Sequence, residues 1–478
     1  MSEEPLLISD VQARVVAELA RIAPVTEELG RRFAAAGEQI ALVGGPVRDA
    51  MLGRLQNDLD FTTSARPEVT EKLVKGWADA TWDIGRAFGT IGCRRGEWQV
   101  EITTFRSEAY DPASRKPAVQ YGDSLVGDLA RRDFTVNSMA LSLPDQQLED
   151  PFGGVVDLAH KLLRTPGRPE DSFSDDPLRM MRAARFSAQL GFTVAPEVVA
   201  AMTDMAERIS IVSAERVRDE LVKLVLSPDP VRGLRLLVET GLAAQVLPEL
   251  PALALERDEH HRHKDVYEHT LTVLEQSIDL EDRLGGPDFV SRFAALMHDV
   301  GKPKTRRFAE NNIVTFHHHD VVGAKLTRKR MQALKFSNDQ IDAVAQLVEQ
   351  HLRFHGYGSG EWTDSAVRRY VRDAGDQLAR LHVLTRADCT TRTKRKAERL
   401  RRTYDELESR IAHLSEQEEL ASIRPDLDGN QIMEILGIGP GREVGQAYRH
   451  LLELRLDNGP MTEEQAKAAL LEWAASRA

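Results

Sequence analysis

The sequence predicts an α+β protein in which a head of mixed strands and helices is followed by an all-helical remainder. Three observations carry this expectation. Ile40–Val43 is a short apolar run that stops at Gly44-Gly45, after which Pro46–Leu52 reads as a helix and Asp58–Phe61 as a second strand. Thr90–Arg95 and Gln99–Phe105 read as further strands around an Arg95-Gly96-Glu97 turn. From about Pro166 onward strand signals become few and helical periodicity dominates.

The totals set bounds. A chain of 478 residues, 42% hydrophobic and 29% charged, has the composition of a soluble protein of several domains. No apolar run approaches membrane-spanning length, and MSEEPLLISD lacks the basic and apolar regions of a signal peptide, so a cytoplasmic location is expected. Two cysteines far apart, Cys93 and Cys389, suggest no disulfide framework. A net charge of −12 argues against a uniformly basic surface, but local patches suffice for phosphate contacts. Arg179, Arg182 and Arg185 form one such patch. The run RTKRKAERLRR at Arg392–Arg402 forms another, as an RNA contact or a solubilising helix face. The pattern divides the chain into a helical segment (1–38), a mixed head (39–165), a helical neck (166–255), a third module (256–400) and a charged helical tail (401–478).

In the head, a glycine pair before a helix N-terminus lets backbone N–H groups approach an anion. On the following strand Asp58 and Asp60 share one face while Leu59 and Phe61 take the other. Neighbouring carboxylates repel unless a cation lies between them, and Mg²⁺ favours hard oxygen ligands together with substrate phosphates. Either feature alone is common in turns and strand ends. Together, a phosphate cradle and a carboxylate pair are the equipment of phosphoryl or nucleotidyl transfer. Glu101, in QVEITTF, is a candidate third carboxylate. Arg106–Asp123 is polar and proline-containing, and a mobile loop is expected there. Leu129–Leu141 (LARRDFTVNSMAL) reads as a capped helix with cations at its start.

In the neck, Asp175 or Asp176 can cap a helix whose first turn suits Pro177. Asp176, Arg179, Arg182 and Arg185 then recur every third residue as a drifting stripe, with Leu178, Met181, Ala184 and Leu190 toward the core. A carboxylate and a guanidinium one turn apart offer acceptors and a rigid donor fork, enough to read a base edge, and the remaining arginines are free to hold a triphosphate. The same spacing also makes surface ion pairs. In the third module, histidines and carboxylates recur in YEHT (267–270), FAALMHDVG (293–301) and FHHHDVVG (316–323), then at His351, His355 and Asp388. That mixture suits a transition metal or Mg²⁺.

The glycine pair and Asp58-x-Asp60 at this spacing resemble the signature of the polymerase-beta-like nucleotidyltransferases. The fuller strings GGPVRDAMLGR…DLDFTT and RRDFTVNS resemble the class II tRNA nucleotidyltransferase and bacterial poly(A) polymerase family, departing at Ser138, where alanine is usual. DDPLR resembles that family's EDxxR motif, with Asp175 in place of Glu. DPFGGVVDL (150–158) and SAERVRDEL (213–221) resemble its hinge and a supporting neck motif, and GIGPGREVG resembles its C-terminal segment. His269, His298, Asp299 and Asp388 follow the order of metal ligands in the HD phosphohydrolase superfamily.

The resemblance implies a polymerase-beta-like head that adds C, C and A to the 3′ end of tRNA from CTP and ATP, without a template. It places Mg²⁺ on Asp58 and Asp60, the triphosphate against Gly45, Arg48, Arg132, Arg182 and Arg185, and base choice on Asp176 and Arg179. It makes Arg106–Asp123 the segment that repositions between CTP and ATP, gives the tail a grip on the tRNA, and implies a second divalent metal in the HD module. A poly(A) polymerase is disfavoured by the HD module, the acidic total and the lack of a strongly basic tail. A CC-only enzyme is disfavoured by the full-length Arg106–Asp123 segment. An HD phosphohydrolase with a non-catalytic RNA-binding head is disfavoured by the presence of both aspartates and the whole arginine stripe.

Overall fold

The computed structural model describes residues 8–83, 86–109, 118–122, 124–254, 266–308, 314–356, 362–389, 394–418 and 423–477. They form two compact units, Met1–Val246 and Leu247–Ala478.

The first unit begins with α1 (Ile8–Ala35), then β1 (Ile40–Val43), α2 (Gly45–Met51), β2 (Asp58–Thr63), α3 (Pro67–Val74), β3 (Ala80–Trp82), β4 (Thr90–Arg95) and β5 (Trp98–Thr104). A hairpin of β6 (Arg106–Ala109) and β7 (Ala118–Tyr121) follows, then α4 (Leu125–Ala130), β8 (Ala140–Leu143), β9 (Gln147–Glu149) and α5 (Gly154–Ala159). Seven strands make one sheet in the order β3-β4-β5-β2-β1-β8-β9. Within it β2 and β5 run parallel, and the other neighbours are antiparallel. Strand alternation turns Leu59, Phe61, Val100 and Ile102 inward, where they join Ile22, Leu29 and Phe33 of α1 in a closed core. The opposite face of β2 is left for Asp58 and Asp60.

The neck comprises α6 (Pro169–Asp175), α7 (Leu178–Leu190), α8 (Pro196–Asp204), α9 (Ala214–Val225), α10 (Pro230–Glu239) and α11 (Leu242–Val246). The central helix α7 packs against both α9 and α10. Its arginine stripe is therefore no solvated surface: Arg179 and Arg185 are buried along with Met181 and Ala184, while Leu190 is only half-buried. A second difference from expectation lies at the helix start. Asp175 ends α6, so Asp176 occupies a break between two helices, and its Oδ1 accepts the Leu178 N–H at 3.1 Å.

Two segments of the head also differ. LARRDFTVNSMAL is not a capped α-helix. α4 ends at Ala130 and a single 3-10 turn, Thr135–Asn137, follows, because the Asp133 carboxylate accepts the Phe134 N–H and is drawn toward side chains of α7. The expected loop at Arg106–Asp123 is a ladder where it is described, with Arg106 opposite Tyr121 and Ala109 opposite Ala118; residues 110–117 and 123 lie outside the described residues.

The second unit contains α12 (Val266–Ile278), α13 (Phe289–Met297), α14 (Lys302–Thr305), α15 (His319–Ala333), α16 (Asn338–Gln350), α17 (Asp364–Ala374), α18 (Leu378–Asp388) and α19 (Lys394–Glu418). It closes with α20 (Gly429–Leu436), α21 (Arg442–Asn458) and α22 (Glu463–Ala475), which share a core of Leu427, Ile432, Ala447, Leu451, Ala466 and Leu470. Capping boxes at Asp428/Gln431 and Thr462/Gln465 start α20 and α22. No helix of the described residues is long and apolar enough to cross a membrane.

Near the start of α13, Arg292 donates twice to Glu281, from Nε and Nη2 at 2.7 Å each, with both side chains buried. Removing one partner of such a pair leaves a buried charge unanswered. Arg292→Leu should therefore destabilise the second unit by about 3–5 kcal/mol, read as a lowered melting transition in calorimetry of the full chain.

Candidate functional site

The head site starts at the turn after β1. Gly44 has φ +73°, and a Cβ there would lie 2.6 Å from Nη1 of Arg132, so this glycine makes room for that guanidinium. Arg132 is steadied through Nη2 by Asp128 at 3.3 Å, while its buried Nε lacks a hydrogen-bond partner. Asp128 is itself buried and accepts from Arg131 and from the backbone N–H of Arg106 at the base of the β6–β7 hairpin.

Across from these cations, β2 and β5 bring three carboxylates to one sheet face. Asp60 pairs in register with Glu101, and Asp58 lies two residues earlier on the same side. Asp60 opens onto the cavity but sits low among its walls. Desolvation raises its pKa against the pull of Arg132, and the Glu101 and Asp58 carboxylates add to the rise. Three carboxylates on one sheet face are the donor chemistry a hard divalent cation meets. The three carboxylates do not converge within 4.8 Å as a closed ligand set. An open arrangement suits Mg²⁺, which keeps waters and substrate phosphates among its ligands.

A cavity of about 440 Å³ joins this face to the neck. It is lined by Asp60 from the sheet, by Arg106, Asp128, Arg131, Arg132 and Asp133, and by Asp176, Arg179, Arg182 and Arg216 from the neck. Asp176 and Arg179 thus meet in one wall. Arg179 is fixed by Ser172 Oγ at 2.9 Å and by the Arg131 carbonyl at 2.5 Å. The second oxygen of Asp176 accepts from Arg216 at 2.6 Å.

Not every arginine singled out in the sequence reaches the cavity. Arg48 is 5% exposed; it donates to Asn137 Oδ1 at 2.6 Å and to Asp49, and lies over the Phe186 ring. Arg185 is buried against Glu220 at 2.5 Å and Gln189 at 2.8 Å. Both stand behind the wall, as does much of Arg182, whose Nε donates to Asp133 at 2.7 Å. Sequence reasoning missed Asp128 and Arg216. Arg216 sits in SAERVRDEL, where the only signal was a pattern read as support.

A second centre lies in the other unit. His269 Nε2 is 3.0 Å from Asp388 Oδ1, and His298 Nε2 is 3.2 Å from Asp299 Oδ2 and 3.6 Å from Asp388. The four residues predicted from the sequence therefore come together, and two further histidines join them. His269, His298 and Asp388 form one group with ligand atoms within 4.8 Å, and Asp299, His319 and His351 form another. His298, His319 and His351 each turn Nδ1 toward the carbonyl three residues earlier, at 2.7–2.8 Å. Each leaves a buried Nε2 without a hydrogen-bond partner. This is how metal-binding imidazoles are oriented, with the distal proton on a carbonyl and the free lone pair inward. FHHHDVVG carried the signal for His319, but three adjacent histidines did not say which one turns in.

The charges divide the histidines: His351 is ready to bind, whereas His298 without a metal holds a proton that a bound cation would displace. Burial disfavours charge on His298, but Asp299 outweighs it and raises the pKa to about 8. Burial, with His298 nearby, lowers His351 to about 4, so its ring is neutral at physiological pH. Asp299 is held well below the usual carboxylate range despite burial, by His298 and by Lys302, whose Nζ lies 2.6 Å from Oδ2.

Comparison with known proteins agrees with this division. Residues 40–164 match the family described as Poly A polymerase head domain, 191–253 that described as probable RNA and SrmB-binding site of polymerase A, and 266–393 the HD domain. The A-adding tRNA nucleotidyltransferase of Deinococcus radiodurans is 35% identical over 441 residues, 91% of this chain and 95% of that protein. The CC-adding tRNA nucleotidyltransferase of Thermus thermophilus is 32% identical over 443 residues, 91% of this chain and 94% of that one. The CCA-adding enzyme of Levilactobacillus brevis is 43% identical over 208 residues, 43% of this chain and 51% of that one. Among solved structures, the Bacillus stearothermophilus CCA-adding enzyme in complex with CTP matches with a TM-score of 0.66 and 26% identity, covering 94% of this chain and 96% of that one. The Thermotoga maritima CCA-adding enzyme complexed with tRNA shares the fold, with a TM-score of 0.60 and 19% identity over 97% of this chain and 98% of that one.

Two outcomes follow from this geometry. Burial alone would raise the pKa of Asp133, but Arg182 and Asn137 hold it well below the carboxylate range. A depressed folded pKa contributes stability that is complete above the unfolded value, near 3.9, and is lost as pH falls through the folded one. Melting curves should show Asp133→Asn less stable than wild type by about 3–5 kcal/mol at pH 7, with the gap narrowing below about pH 4. At the second centre, a Cβ on Gly301 would meet the His319 carbonyl at 2.0 Å. Gly301→Ala should push α15 from the Asp299 turn and weaken divalent-metal binding by about 10–100-fold in titration calorimetry, the range seen when ligand support is lost.

Proposed function

The chain belongs to the tRNA nucleotidyltransferase family, and from that premise we propose that it adds C, C and A to the 3′ end of tRNA from CTP and ATP without a nucleic-acid template, releasing pyrophosphate. The observation that carries this reading is one cavity lined together by Asp60 of the carboxylate face, by Arg131 and Arg132, and by the Asp176–Arg179 pair. Arg131 and Arg132 lie where a triphosphate would lie between sheet and neck, and charge-assisted hydrogen bonds to phosphate are what guanidinium groups do best. Asp176 offers acceptor lone pairs to an exocyclic amino group and Arg179 offers donors to ring nitrogen or carbonyl. Cytosine and adenine both carry such an amino group, and uracil and guanine present other patterns. Arg48, Arg182 and Arg185 act from behind, holding Asn137, Asp133 and Glu220 so that the wall keeps its shape.

Asp58 and Asp60, with Glu101 beside them, would hold Mg²⁺, which when bound supplies Lewis-acid stabilisation of the charge developing on the attacking 3′ oxygen and the leaving pyrophosphate. The second centre would hold divalent ions on His269, His298 and Asp388 and on Asp299, His319 and His351. Paired sites of this composition support hydrolysis of phosphate esters. The tail helices α20–α22 are the segment we assign to the outer part of the tRNA.

A narrower activity has one specific observation in its favour: two relatives matched in sequence along nearly their whole length are named A-adding and CC-adding enzymes, although a CCA-adding enzyme matches in structure over as much of its length. The deciding assay uses purified protein, Mg²⁺ and tRNA lacking its last three nucleotides, with CTP, ATP or both, resolved at single-nucleotide length. Two additions with CTP and a stop at three with both support the proposal. A stop at two with both makes the enzyme CC-adding; no extension here, with one A added to a second substrate that already ends in CC, makes it A-adding. Asp60→Ala should lower addition by at least about 10²-fold, the cost of losing one group that stabilises transition-state charge, with tRNA binding retained in a gel-shift measurement. Activity near wild type would remove the metal role assigned to this face.

A further inference from the structure

We propose that Arg216 is a positioning residue for base selection: it fixes the orientation of the Asp176 carboxylate, and through that carboxylate the choice of incoming nucleotide. This inference rests on the nucleotide-adding reading above. Asp176 stands in the two-residue break between α6 and α7, in extended backbone with φ −143° and ψ 100°. Its carboxylate turns about a broad terminal torsion unless something holds the plane. Two bonds hold it: Leu178 N–H to Oδ1 at 3.1 Å, and Arg216 Nη2 to Oδ2 at 2.6 Å. With one removed, the group swings about the other, and the lone pairs that face the cavity are no longer fixed in direction.

The place of Arg216 in its own helix supports a role outside that helix. α9 starts after Ser213, whose hydroxyl accepts the Arg216 N–H, so Arg216 stands in the first turn. A cation there opposes the helix dipole. Its side chain remains 53% exposed, and ion pairs so exposed contribute little to stability. What the pair does supply is direction, at the wall of the cavity that Asp176, Arg179 and Arg216 all line.

The test measures single-nucleotide incorporation by the full-length protein into tRNA ending at each of the three positions, with each of the four nucleoside triphosphates. Arg216→Ala should lower the ratio of kcat/KM for the correct base over the incorrect ones by about tenfold, the scale of one charge-assisted hydrogen bond. Arg216→Lys, which keeps a charged donor, should recover part of that ratio. In an Asp176→Ala background, Arg216→Ala should change the ratio no further, because its effect passes through the carboxylate. The proposal is overturned by an unchanged ratio, by a KM raised equally for all four nucleotides, or by losses that multiply in the double variant. Each of these points to a direct phosphate contact or to no role. Melting curves of each variant separate misfolding from misreading, and if Arg216→Ala fails to fold, Arg216→Lys carries the comparison. Failure of the wild-type protein to extend tRNA would instead refute the functional reading.

Discussion

The carboxylate of Asp133 is the constraint on which the first unit depends. It is buried between the catalytic sheet and the central neck helix, and it accepts from Arg182, Asn137 and the Phe134 N–H at once. Asn137 in turn receives Arg48 from the helix after the glycine turn. Beyond Arg182, Glu220 of α9 takes Arg185. A chain of charges and amides thus runs from the glycine turn of the head to α9, the fourth helix of the neck. Every link is at least partly buried, so each group depends on its neighbour for the solvation it gave up. Sheet and neck are tied by polar bonds of fixed direction beside apolar contacts such as Phe134 edge-on to Phe186, and direction is what a cavity that must present donors and acceptors requires.

That arrangement changes the meaning of the arginine stripe. Four side chains at every third position divide their work: Asp176 and Arg179 face the cavity, Arg182 lines it while paired with Asp133, and Arg185 is spent on Glu220. The periodicity in the sequence is real, but a helix packed on two sides buries most of such a stripe, and position on the circumference decides which guanidinium is left for a ligand.

Much was legible before any coordinates. The glycine turn, both aspartates on one strand face and the strand that carries Glu101 all follow from local rules: turn chemistry, alternation and short apolar runs. The stripe and the His-Asp ligand order were equally visible. What escaped depends on contacts between residues far apart in sequence. Asp128 carries no local signal, yet it gathers two arginines and a hairpin base. His319 and His351 could be named but not placed, because their inward turn is decided by α15 and α16 lying against the Asp299 turn. The break between α6 and α7 was missed because Asp175 and Asp176 both satisfy the rule for a cap, and only the packing of α6 shows that one residue ends a helix while the other serves the next.

The bond from Arg179 to the carbonyl of Arg131 has a wider consequence. On the roles proposed above, the side chain that reads the base rests on the backbone that carries the phosphate-facing cations, so the two ends of a nucleotide would be gripped by parts that are bonded to each other. The protein then works as a caliper. The span between its jaws would be set by covalent geometry and one hydrogen bond, and the donors and acceptors on the base-facing jaw would decide which nucleotide is kept there. A polymerase that copies a strand lets the partner base supply the measure; here the measure is built into the polypeptide.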